Sequence, residues 1–475
     1  MTSLEIQRRH FRYYLGILNQ ADILYCEGEE ALAHGLELFD DEWPNIRLGQ
    51  ERAARLAERD KDAAWCCDRY AGYGASILHV RQHPAEQILW LESAVKAART
   101  LEDRATEAIH LGNLGIAHYL LGDSRRAIEC HELNLTIASE IGDRRIESAA
   151  LANLGVAYDS LGEYPKAISL YEKHLEISRE IGDRSETGKA LSNLGTAYQQ
   201  IGDYKRSLEL CTEALAIARE LADLPSECAA LGNIGVAHHA LGKYQLATES
   251  LMHFLATART IGNRGFEAQA IGNLGNVFLT LNEPQRALEL YRQNHDLARE
   301  IADRKSEAAA LGNIGVAHSA LGEYDQAITL HTEQLALALE IDDLRGQAQA
   351  LGNLGRNNMH LENYERAFKY HEQDLQIVRR IGDRVGEAQA LGNLATTHYN
   401  AGAYLQAVEL YQTSLAIAVE IGDPQTTGKS RYGLCLSYVC LGDLDRAFSP
   451  AEESAEAFEG KGADPLRTSV PRQPK

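Results

Sequence analysis

Leu151-Ala-Asn-Leu-Gly-Val-Ala-Tyr158 is the stretch on which the fold turns, because the chain writes it repeatedly at one fixed distance. Asn153 has counterparts at Asn113, Asn193, Asn233, Asn273, Asn313, Asn353 and Asn393, each 40 residues from the next. Around each Asn the order is apolar, small, Asn, Leu or Ile, then Gly or Ala. A small residue follows two positions on, and His, Tyr or Phe comes next in most copies. A long fixed period means modules that stack on their neighbours as a solenoid.

Residues 144–183 show why each module should be a pair of helices. Asp143 can accept an orphan N–H at the start of the first helix, where a carboxylate also suits the positive helix end. Ala150, Leu151, Leu154, Ala157 and Leu161 then keep helical spacing. Gly162 sits where a positive φ is needed past the helix end. Glu163 is the candidate cap of the second helix, and Pro165 is tolerated in its first turn. Ala167, Ile168, Leu170, Tyr171, Leu175 and Ile177 carry the buried stripe to Ile181, and Gly182 stops it. Pro284 and Pro424 likewise fall just after cap positions. Gly155 and Ala167 are expected where two helix backbones approach, so a large side chain there would cost roughly 1–3 kcal/mol.

Composition narrows the class. Hydrophobic content is 45% with ten prolines in 475 residues, ordinary for a helix-rich chain. The net charge of −21 repels phosphate backbones and anionic lipid, so neither nucleic acid nor a membrane surface is the expected partner. The eight cysteines share no phase in the repeat and form no CxxC pair, which indicates neither disulfides nor a metal site. Met1 to Leu15 carries Arg8, Arg9, His10 and Arg12 without an apolar core, unlike a signal peptide. A cytoplasmic location is expected.

Along the chain, residues 1–63 lie outside the period and read as an N-terminal cap of three helices, near residues 8–21, 30–39 and 46–59. Residues 64–103 are a degenerate copy with Tyr73 in the Asn position. Nine units follow over residues 104–463, the last with Gly433 in place of Asn. Residues 464–475 are expected to be a disordered tail.

The set Leu154-Gly155, Tyr158, Gly162, Tyr164, Ala167 and Tyr171 resembles the tetratricopeptide repeat, in the 40-residue class of the Pins/LGN polarity adaptors. The Pro that this family places near the end of the second helix is absent, and the chain runs on through Glu180-Ile-Gly-Asp-Arg184. The resemblance implies an all-α fold: a right-handed α-solenoid of about ten antiparallel helix pairs that binds a protein or peptide in a concave groove. A second resemblance covers Arg9-His-Phe-Arg-Tyr-Tyr-Leu15, residues 36–46 and Trp90-Leu-Glu-Ser-Ala94, which look like the segment before the repeat sensor in bacterial NB-ARC/STAND regulators.

No catalytic constellation emerges. Gly182 to Ala190 and Gly422 to Ser430 imitate a phosphate loop, but each has five residues between its glycines where four are needed, and each follows a helix. His118, His238, His318 and His398 alternate with Tyr158, Tyr198 and Phe278, a slot filled for shape. They lie in separate modules and cannot share a metal. No cofactor is implied. The expected role is that of a non-enzymatic scaffold or adaptor; the alternatives are the sensor part of a NB-ARC/STAND-type regulator and, third, a hydrolase accessory or enzyme.

The Asn positions are the binding candidates, since in the family they commonly bond an extended peptide and an amide offers two donors and an acceptor. The competing reading has each Asn bonding a neighbouring helix end. The variable slots in phase with 149, 156, 159 and 160 should set specificity. Early copies fill them with Ile109, Ile116, Ala149 and Val156, and later ones with Gln349, Arg356, His360, Gln389 and Asn400, while Lys189 adds a charge midway. Arg356 suits a carboxylate, or else a neighbouring Glu. Self-association through the repeat ends is left open.

Overall fold

The computed structural model describes residues 3–447, all helices and short turns with no strand among them. Met1–Lys243 and Tyr244–Lys475 form two compact units. The expected end of the last helix at Ala451 to Phe458, and the tail, lie outside the described residues.

Unit 1 opens with α1 (Ser3–Glu27), α2 (Glu29–Leu56), α3 (Lys61–Tyr73), α4 (Ala75–Arg81) and α5 (Pro84–Thr100). The repeat pairs follow: α6 (Arg104–Leu120) with α7 (Ser124–Ile141), α8 (Arg144–Ser160) with α9 (Tyr164–Glu180), α10 (Arg184–Gln200) with α11 (Tyr204–Glu220), and then α12 (Leu224–Ala240). Unit 2 begins with α13 (Tyr244–Thr260). Its pairs are α14 (Arg264–Thr280) with α15 (Pro284–Glu300), α16 (Arg304–Ala320) with α17 (Tyr324–Glu340), α18 (Leu344–His360) with α19 (Tyr364–Arg380), and α20 (Arg384–Asn400) with α21 (Tyr404–Glu420), before α22 (Pro424–Leu441).

The caps explain the regularity. Asp143 accepts from the Arg145 and Ile146 N–H groups, and Asp103, Asp183, Asp223, Asn263, Asp303, Asp383 and Asp423 do the same at their helices. Glu163, expected to cap α9, makes no side-chain cap bond. Its extra methylene carries the carboxylate past the first-turn N–H groups, and it pairs instead with Lys166. Gly162 and Gly182 have φ of 77° and 73°, left-handed values that end each helix sharply.

In most repeats an Arg directly after the capping Asp or Asn ties the module together. Arg104, Arg144, Arg184, Arg264, Arg304 and Arg384 each reach a Glu 36 residues on, and most also bond the Glu three residues on. The recurrent Glu-Ile-Gly-Asp-Arg string is therefore a helix stop, a cap and an ion pair in sequence.

Two expectations need correction. The N-terminal segment contains no break at Pro44, because residues 30–39 and 46–59 belong largely to one helix, α2. A helix-interior proline costs ~3 kcal/mol. Phe39, Trp43 and Trp90 stack across it, at 4.9 and 5.6 Å between ring centroids, and Phe39 and Ile46 are buried on either side. Burying those two side chains returns about 1.5–3 kcal/mol each, which outweighs the proline. Gly155, in turn, makes room for a ring of the second helix and not for its backbone: a Cβ there would collide with Tyr171. At Gly275 the same added Cβ would lie 2.5 Å from the Tyr291 ring. The degenerate copy is broken at Gly74, against which Leu18 of α1 packs.

Candidate functional site

In every repeat the first helix turns Leu151-type and Leu154-type residues inward and leaves the slots in phase with 149, 153, 156 and 160 on its outer face. Unit 1 carries Asn113, Asn153, Asn193 and Asn233 on such faces; unit 2 carries Asn273, Asn313, Asn353 and Asn393. Asn113 is exposed, and Asn353 is buried at 6% exposure. The other members are half-buried.

Their hydrogen bonds separate them. The Asn233 amide donates to Thr196 Oγ1 on the preceding first helix at 3.0 Å, the stack-maintaining arrangement. Asn353 Oδ1 accepts from the Arg356 guanidinium one turn ahead. Among the described residues no side-chain hydrogen bond is recorded for Asn113, Asn153, Asn193, Asn273, Asn313 or Asn393, so those amides remain open to solvent on one side.

The other candidates divide similarly. Lys189 is exposed but paired with Glu186 at 2.8 Å on its own helix, so its charge is offset. Gln349 and Gln389 are exposed and make no side-chain hydrogen bond among the described residues. Arg356 is reached by solvent, and its guanidinium bonds Asn353 and forms no ion pair with a Glu among the described residues. Crowding by neighbouring helices lowers its pKa from the usual value, opposed by the Asp374 charge. His360 stacks flat on Tyr324 at 4.8 Å. Ile109 and Ile116 of α6 are 49% and 40% exposed, so at α6 these slots present apolar side chains.

Sequence reasoning missed two groups in unit 2. Lys429 lies in phase with Gln349 and Gln389, exposed on α22 and without an ion pair among the described residues. It belongs to the string that imitates a phosphate loop, which is helix here, capped by Asp423. Asp374 is 7% exposed on α19, and burial, reinforced by Asp383, pushes its carboxyl up to about 7. The visible signal was its place in a slot that holds Asn294, Gln334 and Ser414 elsewhere, none of them charged.

A pocket of about 450 Å³ in unit 2 is lined by the face residues Gln269, Ala309 and Asn313 together with Asn294 and Phe266. Asn294 is tied to the Ala268 carbonyl at 2.7 Å. Among the described residues no group of three or more His, Cys, Asp or Glu is placed to hold a metal, and no helix is long and apolar enough to cross a membrane.

The sequence profile of the tetratricopeptide repeat matches residues 106–180, 186–260, 266–340, 346–418 and 386–460. The chain belongs to the tetratricopeptide repeat family. Similar solved structures include a signal transduction ATPase with numerous domains (STAND) bearing a tetratricopeptide repeat sensor, from Pyrococcus horikoshii. It is 12% identical with a TM-score of 0.52 over 86% of this chain, which spans 63% of the length of that protein. A Rap protein complexed with competence and sporulation factor is 14% identical, TM-score 0.55, covering 77% of this tetratricopeptide repeat chain and 99% of its own. The apo quorum sensor NprR from B. thuringiensis is 14% identical, TM-score 0.53, over 72% and 99%. At such identities the likeness is one of fold. No curated protein matches the sequence.

Proposed function

We propose that this tetratricopeptide repeat chain is a non-enzymatic adaptor that binds a protein or peptide segment along the outer faces of its first helices. The observation that carries the proposal is the set of open amides: six Asn side chains, five of them half-buried, recur at one position of the repeat with no side-chain bond among the described residues. A half-buried amide kept unpaired is unfavourable unless water or a ligand completes it, and a peptide backbone offers both of the groups it needs. Small neighbours such as Ala149, Ser192 and Ala309 leave that backbone room to approach. A rigid array lowers the ordering cost of an extended ligand. Eight unpaired cysteines, with burial pushing Cys66 and Cys67 up to about 11 and about 12, support a reducing, cytoplasmic setting.

The second reading is the sensor part of a bacterial STAND-type regulator. It is favoured by the N-terminal helices before the repeats and by the likeness to the Pyrococcus horikoshii protein, whose repeats are described as its sensor. An ATPase encoded beside this chain and co-purifying with it would support it.

Replacing Asn273, Asn313 and Asn393 together with Ala tests the adaptor reading. These amides bond none of the described residues, so the melting temperature should stay within about 2 °C, as expected for surface substitutions. Affinity for a partner captured from the native host should fall at least tenfold. Unchanged affinity with intact helix content would refute the role of the amides.

A further inference from the structure

We propose that the exposed face shared by α18, α20 and α22 docks an acidic peptide segment, Arg356 and Lys429 taking its carboxylates and the buried Asp374 setting the positive charge they present. The inference rests on the adaptor reading and deepens it.

The first observation is that these cations are unspent. The chain carries a net charge of −21, and the Arg that opens most repeats is bound to one or two Glu. Arg356 and Lys429 make no ion pair among the described residues, although carboxylates outnumber cations throughout. The bond to Asn353 Oδ1 fixes the guanidinium near its own helix and leaves its other donors free. Burial and then the Arg356 charge lower the Lys429 pKa, so the two cations act on each other across α20. Asp423 acts on Lys429 and Asp374 on Arg356 in the opposite sense, but neither closes an ion pair, so two like charges stand together with a place for an added anion. Gln389 on α20 lies in the same slot as Lys429, exposed and with donors of its own.

The second observation lies beneath. In the slot of Asp374, Asn294 donates to the Ala268 carbonyl and Ser414 to the Ala388 carbonyl, both at 2.7 Å and both 26 residues back. The equivalent acceptor for Asp374 is the carbonyl of Ala348, which only a protonated carboxyl can bond. Gly352, next to Asn353, opens the wall above it: an added Cβ would lie 3.0 Å from Asp374 Oδ2. The charged groups acting on Asp374 are Arg356 from α18 and Asp383 at the start of α20. His371, one turn away on α19, is fully buried with neither nitrogen bonded, and burial keeps it neutral, its pKa pushed down to about 4. A neutral Asp374 thus leaves Arg356 its full charge for a ligand, and an ionised one offsets part of it. Acid binding and protonation of Asp374 are linked, each favouring the other.

The test is fluorescence anisotropy on the full chain with a labelled tetraglutamate peptide and its tetraglutamine counterpart. The glutamate peptide should bind and weaken with salt, and the glutamine peptide should bind at least tenfold more weakly. Arg356→Gln and Lys429→Gln should each cost about tenfold, one charge-assisted contact; Lys429 is exposed, so its variant answers even if the other fails to fold. Between pH 6 and pH 8 the affinity should drop about fivefold in the native chain and stay flat in Asp374→Asn. Absence of glutamate binding, equal binding of the glutamine peptide, or binding unchanged in Lys429→Gln overturns the subsite. A flat pH profile in the native chain overturns the role of Asp374. If the native partner is lost in the triple Asn variant but ignores Arg356 and Lys429, the adaptor reading stands and this one falls.

Discussion

Exchanging Asp374 for Asn isolates the energetic consequence of one buried carboxyl. The group is 7% exposed, and burial with repulsion from Asp383 lifts its pKa from 3.8 to about 7. A carboxyl with a raised folded pKa binds more protons in the folded state. Its effect on stability is therefore favourable below the unfolded value and is lost as pH rises through the folded one. About three pH units at ~1.4 kcal/mol each make that loss about 4 kcal/mol at most. Buried His131, His331 and His371 run the opposite way: burial holds each down to about 4, so their contribution is present above the unfolded His value of 6.5 and is lost as pH falls. Between pH 6.5 and 8 the carboxyl is the member of this set that still titrates. The Asn variant is neutral throughout and can donate to the Ala348 carbonyl as Asn294 does to Ala268, a bond worth about 1 kcal/mol. The loss accumulates from pH 3.8 upward, so most of it is already present at pH 6: the variant should exceed the native chain in local stability by about 4 kcal/mol at pH 6 and about 5 kcal/mol at pH 8, the last ~1.4 kcal/mol being lost between the two. Hydrogen exchange over residues 344–380, corrected for intrinsic rates, reads this locally, which suits an array that need not unfold in one step. An equal gain at both pH values, or native protection that does not fall from pH 6 to pH 8, would refute the reasoning.

Gly275→Ala places a methyl 2.5 Å from the Tyr291 ring and should cost roughly 1–3 kcal/mol, seen as a lower thermal midpoint; a neutral result would mean the ring can move aside. Ala302 has φ of 55° at the turn where Gly142, Gly182 and Gly262 sit in other repeats. Ala302→Gly should therefore stabilise by about 0.5–1 kcal/mol, the relief of left-handed strain less the added freedom of the unfolded chain, measured by denaturant midpoint.

Much of this was legible in the residues because local rules act on local strings. Asp143, Gly162 and Pro165 mark helix ends by their own backbone and side-chain chemistry, and no distant residue overrides them. Pro44 misled for the converse reason: α2 is continuous through it, supported by a ring stack reaching Trp90, far along the chain. The candidate site was half legible. The register of the Asn positions placed them on one face, yet nothing in the repeat told Asn233, bonded to Thr196, from Asn273, whose side chain bonds none of the described residues. Lys189 and Lys429 occupy the same slot of their units and differ because Glu186 stands one turn before the first, where Thr426 stands before the second.

By itself, then, the sequence determined the period, the helix boundaries within it, the family and the set of outward slots, since each follows from spacing along one helix or one turn. Tertiary structure decided which of those slots hold spare chemistry. Whether a charge is free depends on carboxylates 36 residues away, as for Arg144 and Glu180. Whether a carboxyl stays neutral depends on how completely neighbouring helices exclude water from it, as at Asp374. Both are properties of packed neighbours, and the repeat alone does not record them.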